Sequence, residues 1–133
     1  MKKILVFTFM FFTTCAIAQD KNAEKTVQKF LFQFNKSSYD EIYDSFSSDY
    51  KRKVSKETLT SYLNKIHGMV DKFKSAKFIS ANGGSYNYFF VCKDKNVNAD
   101  FQCILNAENQ FDYLSFKRIG GSGNPPPVGK LKQ

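Results

Sequence analysis

The chain has 133 residues, with 20 Lys and Arg against 12 Asp and Glu, one histidine, 15 Phe, 7 Tyr and no Trp. That length suits one domain, whose core must come largely from aromatic rings. The formal charge of +8 is scattered along the chain, not gathered on one helix or stripe, which argues against a nucleic-acid partner.

Lys2 and Lys3 precede the apolar run Ile4 to Phe12, and Ala16-Ile17-Ala18 supplies a small-x-small ending. These are the three parts of a secretory signal peptide, expected over residues 1–18 with cleavage before Gln19. Ile4 to Ala18 falls short of the roughly 20 apolar residues needed to cross a bilayer, so no transmembrane anchor is expected. The expected location is therefore secreted or periplasmic. A lipoprotein held through Cys15 is the alternative, although Phe12-Thr13-Thr14-Cys15 departs from the Leu-small-small-Cys pattern. Removing the leader leaves 18 basic against 12 acidic residues.

From Ala23 the apolar residues Val27, Phe30, Leu31 and Phe34 recur at helical intervals and predict a first helix. Ser38 and Glu41 have capping-box spacing, ahead of a short second helix striped by Ile42, Tyr43 and Phe46. Lys51-Arg52-Lys53 reads as a solvated connection. Ser55 is placed to cap a third helix with Leu59, Tyr62, Leu63 and Ile66 on its core face, ending at Gly68.

Beyond Gly68 the period drops to two. Met69 to Phe73 and Ala76 to Ala81 read as extended, and Asn82-Gly83-Gly84 is a turn signal. In the next strand Tyr86, Tyr88, Phe90 and Cys92 share one face, with Phe89 and Val91 on the other. Ala99, Phe101, Cys103 and Leu105 then alternate with Ile104 opposite, and Phe111 to Ile119 forms a last strand. The expected class is α+β, with three N-terminal helices packed on one face of an antiparallel sheet. The domain spans 19–119, and 120–133, with three Gly followed by Pro125-Pro126-Pro127, reads as a flexible Gly/Pro-rich tail. A proline-rich ligand for an aromatic groove is a further reading of that tail.

Two cysteines remain after the leader, Cys92 and Cys103, and an even count in an exported protein points to a disulfide. A hairpin turn centred on Asn96 to Asn98 would set them directly opposite. Phe89, Val91, Ile104, Leu114 and Phe116 would line the sheet face away from the helices, a candidate homodimer interface. Tyr62, Tyr86, Tyr88 and Tyr113 fall on core-facing positions, where phenols between helices and sheet could orient a small apolar ligand. Catalysis would also need a carboxylate base, and Asp71 and Asp112 are the only ones near those elements. No Gly-x-Ser-x-Gly, phosphate-cradling or EF-hand motif is present; neither a metal nor a cofactor is expected. His67, beside Gly68, suits a helix end.

The run Tyr39-Asp40-Glu41-Ile42-Tyr43, then Phe46-Ser47, then Leu59-x-x-Tyr62-Leu63, followed by Tyr86-x-Tyr88-x-Phe90-x-Cys92, Phe101-x-Cys103-x-Leu105 and Phe111-x-Tyr113-Leu114-x-Phe116, resembles a known kind of domain. It is the small exported bacterial domain of unknown function often found ahead of secreted serine hydrolases. The resemblance covers Asn22 to Ile119 and implies the cone shape shared by nuclear transport factor two and the ketosteroid isomerases, three helices against a curved sheet. It implies no catalytic set. The expected function is an exported, non-catalytic binding or interaction module, acting on a small ligand or an envelope protein. A small enzyme using the cone pocket and a homodimeric scaffold are the alternatives.

Overall fold

The computed structural model describes residues 12–93 and 97–120, with side chains from Lys21 onward. The elements run α1 (Phe12–Asn35), α2 (Tyr39–Asp44), α3 (Ser48–Lys53), α4 (Lys56–Val70), β1 (Phe73–Asn82), β2 (Ser85–Cys92), β3 (Asn98–Leu105) and β4 (Phe111–Ile119). The strands form one antiparallel meander in the order β1-β2-β3-β4, with the helices packed on one face. The protein is α+β, as its change of period from 3.6 to 2 predicts.

Helix α1 buries the expected stripe of Ala23, Val27, Phe30 and Phe34 completely or nearly so. At its C-terminus the Asn35 side chain takes the place of a neighbouring strand. Its Oδ1 accepts from Phe73 N–H and its Nδ2 donates to the Phe73 carbonyl, both at 2.8 Å. That pair satisfies the first edge groups of β1 and fixes the angle between α1 and the sheet.

Four helices form instead of the three expected. The segment read as a basic connection is α3, capped by Ser47, whose hydroxyl accepts from Tyr50 N–H. Its charges are held locally: Arg52 pairs with Asp49, and the Lys51 ammonium lies over the Tyr43 ring, 5.4 Å from its centre. The Ser38–Glu41 capping box does not form. Ser38 makes no side-chain cap bond, and Glu41 accepts from Gln33 Nε2 on α1 instead. Ser55 caps α4 as expected, its hydroxyl accepting from Thr58 N–H at 3.1 Å. Gly68 does not end α4, which runs two residues further and stops where Asp71 takes a positive φ of 64°. A mid-helix glycine costs about 1 kcal/mol relative to alanine; complete burial of Val70 offsets that.

The expected Cys92–Cys103 pairing is not present. Cys103 lies opposite Tyr86, whereas Cys92 is aligned with Phe73 of β1. The hairpin closes at Val91↔Asn98, with Cys92 N–H donating to the Val97 carbonyl. Cys103 is thus displaced six residues along β2 from Cys92, roughly 20 Å at strand rise. No disulfide spans that distance. Both thiols are buried among apolar side chains.

Burial alone pushes the Cys103 thiol up, to about 12. The neutral thiol is therefore favoured by folding, and its stabilisation is complete below the unfolded value near 9 and lost as pH rises toward about 12. Denaturation curves between those limits should show a smaller fall in stability for Cys103→Ala than for the parent. Native protein at neutral pH should react slowly with thiol reagents at Cys103, and unfolded protein quickly. Rapid labelling of Cys103 in the native state would contradict the burial described here.

Candidate functional site

The tyrosines expected to share a pocket are dispersed. Tyr86 and Tyr88 do face the helices and are 3% and 2% exposed. Tyr113 does not; it stands on the opposite sheet face, paired with Ile104 and 39% exposed. Tyr62 reaches from α4 to the outer edge of β4, where its oxygen accepts from Phe116 N–H at 2.9 Å.

The space between helices and sheet is filled by phenylalanine. Phe30 stacks on Phe101 at 5.3 Å and meets Phe111 edge-on at 5.9 Å. Phe90 lies 4.6 Å from Phe101, and Phe73 stacks on Phe116 at 5.5 Å. Phe116 and Leu114, expected on the interface stripe, thus belong to the core. Of the other stripe members, Ile104 is exposed on the far face and Val91 half-buried there. Phe89 is also on that face but buried, in a row with Lys77, Asp100 and Arg118, where the long stems of Lys77 and Arg118 can lie over a ring. The remaining rows there are polar, such as Ser80–Asn87–Gln102–Ser115. The continuous apolar stripe is not formed.

One carboxylate missed in the sequence touches the inner face. Glu24 of α1 accepts from the Tyr88 hydroxyl at 3.3 Å, and desolvation followed by the Glu24 charge raises the Tyr88 pKa strongly. A phenol so held stays protonated. The signal for Glu24 was a charged residue one position from the core stripe at Ala23. Asp71 sits at the α4 terminus and Asp112 in an exposed bulge of β4, so neither enters the core.

Among the described residues, an accessible concavity lies along the outer edge of β4. Local packing builds it. Ser47 N–H donates to the Phe111 carbonyl and Phe111 N–H to the Ser45 carbonyl, an isolated parallel bridge that seats the α2–α3 junction beside β4. Phe46 is clamped between Tyr50 at 4.1 Å and Phe111 at 5.2 Å, which aims Tyr50 along the strand edge. Two adjoining hollows result, sharing Tyr50 and Val54. The apolar one, about 320 Å³, is bounded further by Thr58, Leu59, Tyr62, Leu114 and Ser115. The charged one, about 480 Å³, is bounded by Asp49, Lys53, Asp112 and Tyr113.

Hydroxyls dominate its polar chemistry. Since Tyr62 accepts from Phe116, its own proton is available to donate. The Ser115 Oγ is buried and has no hydrogen-bond partner among the described residues. Tyr50 has its pKa raised, first by burial and then by Tyr43 and Tyr62, and so remains a donor. Among the described residues no cation pairs with Asp112. No group of three or more metal-ligating side chains occurs among them, and no helix is long and apolar enough to cross a membrane.

Among curated proteins and among solved structures, nothing matches this chain. A family match covers residues 27–112, from the middle of α1 to the bulge of β4, and includes Tyr50, Val54 and Tyr62 but not Leu114 or Ser115. With α2 to α4, β1 to β3 and most of the groove's lining residues inside that match, the chain belongs to the family described as protein of unknown function (DUF3887).

Proposed function

We propose that this protein is an exported, non-catalytic binding module whose ligand surface is the groove between α3, the start of α4 and β4. The observation that carries the reading is where open space lies. The interior is occupied by packed rings, while two tyrosines, Tyr50 and Tyr62, the latter with its hydroxyl proton unengaged among the described residues, line a surface groove. Such a mixture of apolar walls and a few directed polar groups is what small-ligand and peptide sites use. Export follows from the leader at residues 1–18, and likeness to nuclear-transport-factor-two proteins adds a shape but no activity. An enzymatic reading rests on the Glu24–Tyr88 pair, which lies against the filled core.

The test uses the chain from Gln19, whose start intact-mass measurement of the exported product should confirm. Titration with small aromatic and amide fragments, followed by amide chemical shifts, should move Tyr50, Val54, Tyr62 and Ser115. Tyr50→Ala should weaken that binding about tenfold or more, as loss of an aromatic anchor does. Shifts centred on Glu24, Tyr88 and Phe90 would instead support the enzyme, and no saturable shift at all would end the groove reading.

A further inference from the structure

We infer that the groove is a recognition site for a polyproline-II segment, and that its occupant is this chain's own stretch Pro125 to Lys132. The inference rests on the groove being a binding surface and names what fills it. Three features of the groove and the sequence agree.

The first is hydrogen-bond polarity. A run of prolines has carbonyl acceptors and no N–H donors, and in polyproline-II form those carbonyls point outward unpaired. Tyr62 offers a hydroxyl donor with no acceptor engaged among the described residues, and Tyr50 adds a second. Proline rings then pack on the tyrosine faces and on Val54, Leu59 and Leu114, the aromatic-lined arrangement by which such segments are bound.

The second is charge. The apolar hollow opens into the one holding Asp49, Asp112 and Lys53. Asp49 is shared with Arg52, and Asp112 has no cation among the described residues. Pro125-Pro126-Pro127 is followed, after Val128 and Gly129, by Lys130 and Lys132. Prolines over the apolar half therefore bring lysines to the acidic half.

The third is reach. From Ile119 back to Ser115 the strand measures about 13 Å, and back to Asp112 about 23 Å. Residues 121–124, extended, span about 14 Å, enough to return Pro125 to Ser115. Four residues at about 3.1 Å each then cover the remaining distance of about 10 Å to Asp112. Gly120, with φ at +135°, stands where the chain must reverse.

The experiment compares the chain from Gln19 with its Pro125→Ala/Pro126→Ala/Pro127→Ala variant, both full length to Gln133. Amide shifts of Tyr50, Val54, Tyr62 and Ser115 should differ between the two at any concentration. Carbodiimide treatment should join Lys130 or Lys132 to Asp112 or Asp49 within a monomer. A segment bound nine-tenths of the time lowers apparent fragment affinity about tenfold, so the variant should bind groove fragments about that much more tightly. Shift differences confined to residues 120–133, with fragments still binding the groove equally in both proteins, overturn the occupant and leave the groove reading standing. Cross-links found only in dimers also overturn it, assigning the segment to a second copy. Absence of both tail and fragment effects removes the two readings together.

Discussion

Phe30→Ala should be the most damaging single truncation in the domain, costing about 3–5 kcal/mol in urea denaturation. Phe30 is 1% exposed and contacts Phe34, Phe90, Phe101, Phe111 and Phe116 within 5.3 to 6.4 Å. Removing the ring deletes its transfer free energy and opens a void lined by side chains from α1, β2, β3 and β4, elements too stiffly paired to collapse inward. Against a total of roughly 5–15 kcal/mol for a domain of this kind, such a loss leaves little margin at 37 °C. Phe30→Leu keeps much of the volume and should cost under about 2 kcal/mol. The measurement also bears on function. If the concave space were an open pocket, the ring would border solvent and its truncation would cost about 1 kcal/mol. A value that small would reopen the reading of an enzyme working inside the cone.

The filled core and the edge groove have a common cause in β4. As an edge strand it must satisfy outward backbone groups, and the α2–α3 junction and Tyr62 do so at Phe111 and Phe116. Between those two anchor points the helices stand away from the strand, and the groove occupies that gap. Function, on this view, is placed where the fold's means of protecting its edge leaves an opening.

Most of the helical layer was legible because a buried helical stripe repeats without interruption. Ala23, Val27, Phe30 and Phe34 on α1, and Leu59, Leu63 and Ile66 on α4, are all buried at the expected spacing. Strands β2 and β3 keep a strict alternation, and Tyr86, Tyr88, Phe90, Cys92, Phe101 and Cys103 face the helices as expected. The reading fails at β4 for one reason. A register shift leaves Asp112 as an extra residue between Phe111 and Tyr113. One extra residue inverts the side chains that follow, here as far as Phe116, where a second shift at Lys117 restores the phase. That single bulge sends Tyr113 out of the expected pocket and brings Leu114 and Phe116 off the expected interface into the core. The cysteine pairing failed for a related reason. The polar run from Asp94 to Asn98 permits several turn centres, and moving the centre by three positions moves Cys103 six residues relative to β2. The groove was less legible still, since it depends on Phe46 bridging α3 to β4 across some 65 residues of sequence, a contact no local pattern encodes.

Gly84→Ala is expected to cost about 2–4 kcal/mol, far more than an alanine at an ordinary turn. Gly83 and Gly84 form the two-residue connection between β1 and β2. A Cβ on Gly84 would lie 2.7 Å from the Leu105 carbonyl oxygen, closer than contact allows, and the opposing atom is backbone rather than a side chain that can turn away. The same approach carries a bond, with Leu105 N–H donating to the Gly84 carbonyl at 2.9 Å. Relieving the clash therefore moves the β1–β2 turn off the end of β3 and weakens a net contribution of about 1 kcal/mol in addition to the overpacking itself. Gly83 is the internal control. Its φ of +64° is the left-handed region, but its Cβ position faces open space. Gly83→Asn should cost well under 1 kcal/mol, since asparagine tolerates that conformation. Equal losses for the two substitutions in parallel urea titrations would show that turn conformation, and not the approach to β3, sets the requirement for glycine at residue 84.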